Sequence, residues 1–514
     1  MAKNGSDSET GSVNHPLLTI NRAAAIARPG DIITVHQGIY REWVKPLSGG
    51  SSANKRIIYQ AAKGETVVIS GAETVSGWRK LDGHVWRLVL SNQFFGSYNP
   101  FGDLIRGDWY FGNMQLPAPL DLPKFHGHEL HTGEVYHNGM PLHEASLEEV
   151  MEDVNVGDPF GKALQALSGQ YTWHAEVLRD STVITANFQD NDPNHALTEV
   201  NVRPSCFYPE RPGIDFITVR GFRIRQAATQ WAAPTAEQVG AIGTHWSKCW
   251  IIENNLISES KCAGITLGKD RATGHNEWSD DMNADGSVIY NRVVERAIAA
   301  GWNKEHIGSH LVRHNEIYNC GTAGICGSLG AIFSTIAGND IHDIYTNRRF
   351  WGAEMGGIKL HGAIDVVISD NLVRNTNIGI WLDWMAQGTT ILRNYCSEND
   401  YVDLFMEVNH GPYRVTGNSF MSRFSLKDWS ENGTFQGNTF AGILSFAPQD
   451  RKTPFFKPHS TVLLGTRPIS SGNNHFDNNQ FLSKASEVFV PLPGAVIPWD
   501  GVDKLSGYRP LAIK

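Results

Sequence analysis

Gly379-Ile380-Trp381-Leu382-Asp383-Trp384 and, one repeat later, Val402-Asp403-Leu404-Phe405-Met406-Glu407 decide the fold of this chain. Laying Ile380-Trp381-Leu382 over Leu404-Phe405-Met406 sets Asp383 opposite Glu407, a shift of 24 residues because 407 minus 383 is 24. If that shift is one coil of a stacked structure, two acids lie side by side.

The shift recurs. A phrase of β-formers, a polar residue, Asn and a second apolar pair appears around Asn255, Asn291, Asn315, Asn339 and Asn371, with weaker copies at Asn394, Asn418 and Asn438. Subtracting neighbours gives steps of 36, 24, 24, 32, 23, 24 and 20. A unit near 24 residues is therefore repeated, twice with insertions. Such a unit is too short to bury its own apolar face and must stack on its neighbours. Runs of three to five β-branched residues separated by Gly and Asn, with no helix-length apolar pattern, make the unit a set of strands. Asn suits the bend between two strands because it tolerates left-handed backbone angles, and in register it forms a side-chain ladder. The fold class is all-β, a right-handed parallel β-helix. Leucine-rich repeats share the period, but their spaced leucines are absent.

The amino-terminal and central stretches read differently. Residues 1–15 are polar and are expected to be disordered. Residues 16–70 read as a cap and the first coils: a short helix over Asn21 to Arg28, stopped by Pro29-Gly30, leads into strands at Ile32, Gly38, Ile57 and Val67. The helix would cover the open end of the first coil. From 71 to 213 the Asn phrase gives way to hairpin signals, Asp82-Gly83 and Asn138-Gly139, so an inserted β-sandwich-like domain is expected, with one helical piece near Leu147 to Val154. Its Trp109-Tyr110-Phe111 either fills that domain's core or reaches over the coil. Residues 214–440 form the main β-helix, and 441–514 hold a last copy at Asn479 and a tail. Two long loops, Gly268 to Asp281 and Tyr345 to Met355, are expected to wall a binding site; the second carries Arg348, Arg349, Trp351 and Glu354.

Composition narrows the partners. Lys and Arg total 44 against 53 Asp and Glu, a formal charge of -9, and no basic run suggests nucleic acid. No apolar run reaches membrane-spanning length and the first ten residues lack a signal peptide's apolar core, so a cytoplasmic location is expected. The six cysteines show no CxxC spacing and read as reduced core residues, with no metal centre. Fifteen tryptophans exceed what coil interiors need and offer platforms for a sugar ring, Trp351 and Trp384 among them.

The paired acids suggest the chemistry. Adjacent parallel strands lie about 4.7–4.9 Å apart. A retaining glycosidase needs its two carboxyl groups about 5–5.5 Å apart, and an inverting one roughly 6.5–9.5 Å. Stacked neighbours therefore favour retention. Like charges this close cannot both ionise cheaply, so one acid keeps its proton and serves as general acid. Asp383, short and flanked by Trp381 and Trp384, is read as nucleophile and Glu407, with the longer reach, as acid/base; spacing alone allows the reverse. One coil earlier, Gly357-Ile358-Lys359-Leu360-His361 aligns with Gly379 to Asp383, which sets His361 beside Asp383 and Lys359 beside Trp381. Lys359, His361 and Glu354 are candidates to hydrogen-bond sugar hydroxyls.

The two acid motifs, Leu382-Asp383-Trp384 and Met406-Glu407-Val408, taken with Gly357 to His361 and Trp231-Ala232-Ala233-Pro234-Thr235, resemble glycoside hydrolase family 120. That resemblance covers most of the chain. It implies a β-helix interrupted by a β-sandwich, a retaining β-xylosidase with Asp383 as nucleophile and Glu407 as acid/base, exo action on short xylo-oligosaccharides, and a homo-oligomer. No cofactor is expected to be required, and a structural calcium stays open. Two other functions stay open. A polysaccharide lyase would enlist Lys359 or Arg393 as base and a calcium at Asp280-Asp281; a carbohydrate-binding solenoid would bind sugar without turnover.

Overall fold

The computed structural model describes residues 1–107, 129–152, 171–280, 284–345, 350, 352–447, 449–457, 459–469, 472–482 and 509–510. A full coil contributes one strand to each of three parallel sheets, as in Val367–Ser369, Leu372–Arg374 and Ile378–Asp383, followed by Thr389–Leu392, Tyr395–Ser397 and Val402–Glu407; the first and last coils contribute to fewer. Among the described residues the sheets hold eleven, twelve and eight strands. In each sheet a strand pairs with the equivalent strand of the next coil, in parallel and in register. Side chains alternate between the two faces of a strand, so Ile368, Val373, Ile380 and Leu382 point inward and are fully buried. Aromatic columns continue that interior, with Phe435 and Phe476 stacked 4.4 Å apart near the carboxyl end.

The asparagine ladder is continuous. Asn255, Asn315, Asn339, Asn371, Asn394, Asn418 and Asn438 each donate from Nδ2 to Oδ1 of the next, at 2.9–3.0 Å, and the ladder ends on Asn479. They are buried. The left-handed backbone angle belongs to the residue before each ladder position, Asn254, His314, Asp370 and Arg393 among them. The ladder Asn thus serves as an internal hydrogen-bonding rung, and its neighbour makes the bend.

Asn291 is not a rung. The stretch around it is the α-helix Gly286–Ala299, capped by Asp285, whose carboxylate accepts from Ser287 and Val288 N–H. Its buried residues, Ile289, Tyr290, Val293, Val294 and Ala297, follow a helical spacing that the β-branched composition masks. The rung step there is 60 residues, from Asn255 to Asn315, and the whole excess forms one insertion leaving the strand Ala263–Thr266.

The cap helix is Ile20–Ile26, with the Thr19 hydroxyl accepting from Arg22 N. Residues 1–15, expected to be disordered, are folded against it instead. The Asp7 carboxylate accepts from Leu18 N, Thr19 N and Thr19 Oγ1, and the Met1 ammonium donates to Thr34 O. These contacts give a polar segment partners that composition does not reveal.

The inserted domain has a five-stranded and a four-stranded sheet around Trp78, Phe101, Trp173 and Phe188, and the short helix Leu147–Glu152. Asn138 and Gly139 both have positive φ in the hairpin between Val135–His137 and Met140–Pro141, as a primed turn requires. The coil resumes earlier than residue 213, because Phe207 already bridges Val44 and Ile242 in parallel. The domain is tied to the coil by Lys261, whose ammonium donates to Glu134 at 3.0 Å in a buried setting. Trp109-Tyr110-Phe111 lies outside the described residues. Past residue 440, the antiparallel hairpin Lys452–Phe456 and Leu463–Pro468 folds back onto the helix Gly286–Ala299. None of the six cysteines is in a disulfide, and five are buried. Among the described residues no helix is long and apolar enough to cross a membrane.

Candidate active site

The eight-stranded sheet carries the acids. Its register runs His361, Asp383, Glu407, Trp429 in one column and Lys359, Trp381, Phe405, Lys427 in a second. Ile358, Leu360, Ile380, Leu382, Leu404 and Met406 take the alternate, inward positions. Asp383 and Glu407 therefore occupy the outer face of neighbouring strands, as the 24-residue shift requires. The side chain of each is only 11% exposed, so charge there is expensive unless compensated.

Compensation is unequal. Lys359, fully buried, donates to Asp383 Oδ2 at 2.9 Å and lies 3.1 Å from the centroid of Trp381. His361 Nε2 is 3.4 Å from the same oxygen and 3.0 Å from Glu354 Oε1. Burial by itself would raise the Asp383 pKa, but the Lys359, His361 and Arg451 charges overcome it and hold the carboxyl below its usual range. Glu407 goes the other way: burial first, then the Asp383 charge, push it up against the opposing pull of Arg451 and Lys359. Its Oε2 accepts from Trp381 Nε1 at 3.1 Å and its Oε1 from Arg451 Nη2 at 2.6 Å. Asp383 Oδ1, Glu354 Oε2 and His361 Nδ1 are buried without a hydrogen-bond partner. Three unsatisfied polar atoms in one cluster of residues are groups that a polar ligand would satisfy.

Three remote segments pack around the acids. The helix Gly286–Ala299 brings Tyr290 edge-on to His361 at 5.0 Å, with its hydroxyl 3.2 Å from Ser328 Oγ. The segment before the carboxyl-terminal hairpin brings Arg451. The loop ending at Glu354 is held by Trp231, which donates from Nε1 to Ala353 O at 2.9 Å. Sequence reading missed Tyr290 and Arg451. The helical spacing of Ile289, Val293 and Ala297 would have found the first; nothing periodic marks the second.

The other sequence candidates fall as follows. Lys359 is committed to Asp383 and acts as its counter-ion. Trp384 packs against Tyr290 at 6.1 Å and donates to Asn291, which ties the helix Gly286–Ala299 to the coil that carries Asp383. Trp351, Arg348 and Arg349 lie outside the described residues. Glu354, His361 and Asp383 offer atoms within 4.8 Å of one another, a spacing compatible with a cation. The Lys359 ammonium faces both carboxylates there, 2.9 Å from Asp383 and 3.6 Å from Glu354, and offsets one of their two charges. Asp280 pairs with Arg106, and Asp281 lies outside the described residues.

Fold and site together define a carbohydrate-active β-helix enzyme. Residues 75–200 match the model of the glycoside hydrolase 120 insertion domain, and residues 282–440 match that of the right-handed β-helix region. A solved complex of XylC with xylose is 42% identical, with a TM-score of 0.87 over 93% of this chain and 75% of that one. A second solved structure, described as a glycoside hydrolase, is 12% identical with a TM-score of 0.54 over 94% of this chain and 96% of its own, and shares the fold. No curated protein matches. The chain belongs to glycoside hydrolase family 120, and its coil is right-handed.

Proposed function

We propose that this protein is a retaining β-xylosidase that releases xylose from the non-reducing end of short xylo-oligosaccharides. The observation that carries the reading is the opposed proton preference of two stacked acids, Asp383 held ionised by Lys359 and Glu407 pushed toward its protonated form. In this mechanism Asp383 Oδ1, the oxygen without a partner, attacks the anomeric carbon while Glu407 gives its proton to the departing oxygen. The glycosyl ester that forms removes the Asp383 charge, so Glu407 loses its reason to keep a proton and becomes the base that activates water. Water then takes the anomeric carbon, its proton passes to Glu407, and Asp383 leaves as carboxylate.

Xylose as the sugar is supported by XylC, a 42% identical relative solved with xylose. Exo action is what membership of the family suggests, and the burial of both acids is compatible with it. A lyase is less well served: Lys359 is tied to Asp383, and Arg393 pairs with Asp370 at 2.7 Å beyond the strand Thr389–Leu392. Proton NMR of the first-formed anomer from aryl β-xyloside and aryl β-glucoside tests mechanism and sugar together. Initial β-xylose with slow glucoside turnover is expected; initial α-xylose would overturn retention. Light scattering of the purified protein tests the homo-oligomer.

A further inference from the structure

Arg451 has no place in the two-acid scheme, yet it touches the acid/base directly. Of the two Glu407 oxygens, Oε2 is taken from within the sheet by Trp381 Nε1. Only Oε1 is left to meet a glycosidic oxygen, and Arg451 Nη2 holds it at 2.6 Å. The guanidinium also lies 5.7 Å from the Trp384 ring, so it spans the coil ends that carry the two acids. Its side chain is 31% exposed and belongs to the segment leading into the hairpin at Lys452, and its other polar contact is Gln449 at 2.9 Å. Among the described residues that contact the two acids, Lys359, His361 and Trp381 are buried and Arg451 is not.

We propose that Arg451 is a positioning residue that competes with the leaving-group oxygen for Glu407 Oε1, and so sets the protonation of the acid/base in each half of the reaction. This rests on the retaining mechanism proposed above. With the site empty, the charge-assisted hydrogen bond from Arg451 opposes the burial and the Asp383 charge that push Glu407 toward its protonated form. A substrate whose leaving oxygen enters displaces the guanidinium, and Glu407 takes a proton from solvent. That proton goes to the leaving oxygen as the C1–O bond breaks and the bond from Asp383 Oδ1 to C1 forms. When the alcohol departs, Arg451 returns to the carboxylate and keeps it a base until water delivers its proton and the ester bond breaks.

The charged and titratable groups facing Glu407 are Asp383 and, beyond it, Lys359 and His361 from the preceding coils, Lys427 and the Tyr401 phenol from the following side, and Arg451 from the hairpin segment. Arg451 is the one among them that hydrogen-bonds Oε1.

The test uses Arg451→Gln and Arg451→Lys in the full chain, with melting temperature as the fold control. The basic limb of the kcat/KM profile, which reports Glu407 in the free enzyme, is expected to move up by about one to two pH units in Arg451→Gln and back toward the parent in Arg451→Lys. With a dinitrophenyl xyloside, whose leaving group needs no proton, Arg451→Gln is also expected to accumulate glycosyl-enzyme near neutral pH, seen as a burst. A basic limb that coincides with the parent, or that moves equally in both variants, overturns the proposal. Azide rescue of Glu407→Ala, run in parallel, separates the two levels: rescue with an unmoved limb removes only the role of Arg451, whereas no rescue removes the retaining mechanism and this role with it.

Discussion

Replacing Lys359 by Met keeps most of the side chain's length against Trp381 and removes only the charge. The ammonium lies 2.9 Å from Asp383 Oδ2 in a fully buried position. At an effective dielectric of about 20, two unit charges at that separation attract by about 6 kcal/mol. That attraction would correspond to about four pH units; loss of the buried ammonium also relieves its own desolvation and lets the site relax, while His361, 3.4 Å from the same oxygen, and Arg451 remain, so the acidic limb of kcat/KM, which reports Asp383 in the free enzyme, is expected to rise by about one to three pH units. The stability consequence follows from the sign of the shift. In the parent, Asp383 titrates below its unfolded value, so it contributes stability above that value and loses it as pH falls through the folded one. In Lys359→Met burial is less opposed, the folded value rises above the unfolded one, and stability is lost as pH rises through it. Leaving the carboxylate buried without its partner costs about 3–5 kcal/mol where it is ionised. Urea unfolding of parent and variant is therefore expected to show a wide gap at pH 7 that narrows near pH 4. An acidic limb that stays put, or a gap that does not narrow in acid, would refute the view that Lys359 holds the nucleophile ionised.

Other outcomes are as specific. Asp383→Ala is expected to abolish turnover of an aryl β-xyloside, and azide to restore Glu407→Ala by forming β-xylosyl azide, detected by NMR. Asn371→Ala breaks two rungs, to Asn339 and Asn394, and leaves buried partners unsatisfied; a loss of at least about 2 kcal/mol in urea is expected, against a change within about 1 kcal/mol for Asn254→Gly at a left-handed bend. Burial pushes Asp428 up to about 8, against hydrogen bonds from Tyr413 and Ser430. Since the folded state then holds a proton that the unfolded state has released, stability is lost as pH rises from about 4 through 8, and Asp428→Asn is expected to flatten that slope in a series of urea midpoints.

What the amino-acid sequence determined by itself is the part that follows from stacking. In a solenoid a residue's neighbour is the residue one coil away, so a shift of 24 becomes an adjacency without knowledge of anything between. That is why the Asn ladder, the inward apolar columns and the pairing of Asp383 with Glu407 were legible, together with His361 beside the first acid. Asn291 shows the limit: a β-branched phrase with the right spacing to Asn315 folds as a helix, because Asp285 caps it and its apolar residues also satisfy a helical face.

Only the tertiary structure decided what closes over the acids. Tyr290 and Arg451 reach the site from insertions that obey no repeat, and the loop at Glu354 is fixed by Trp231 more than a hundred residues away. The division of labour between the acids was equally out of reach. Spacing treats two carboxylates alike, whereas their proton preferences depend on which charge each meets inside a site that water barely enters: Lys359 at one, and the neighbouring carboxylate with Arg451 at the other.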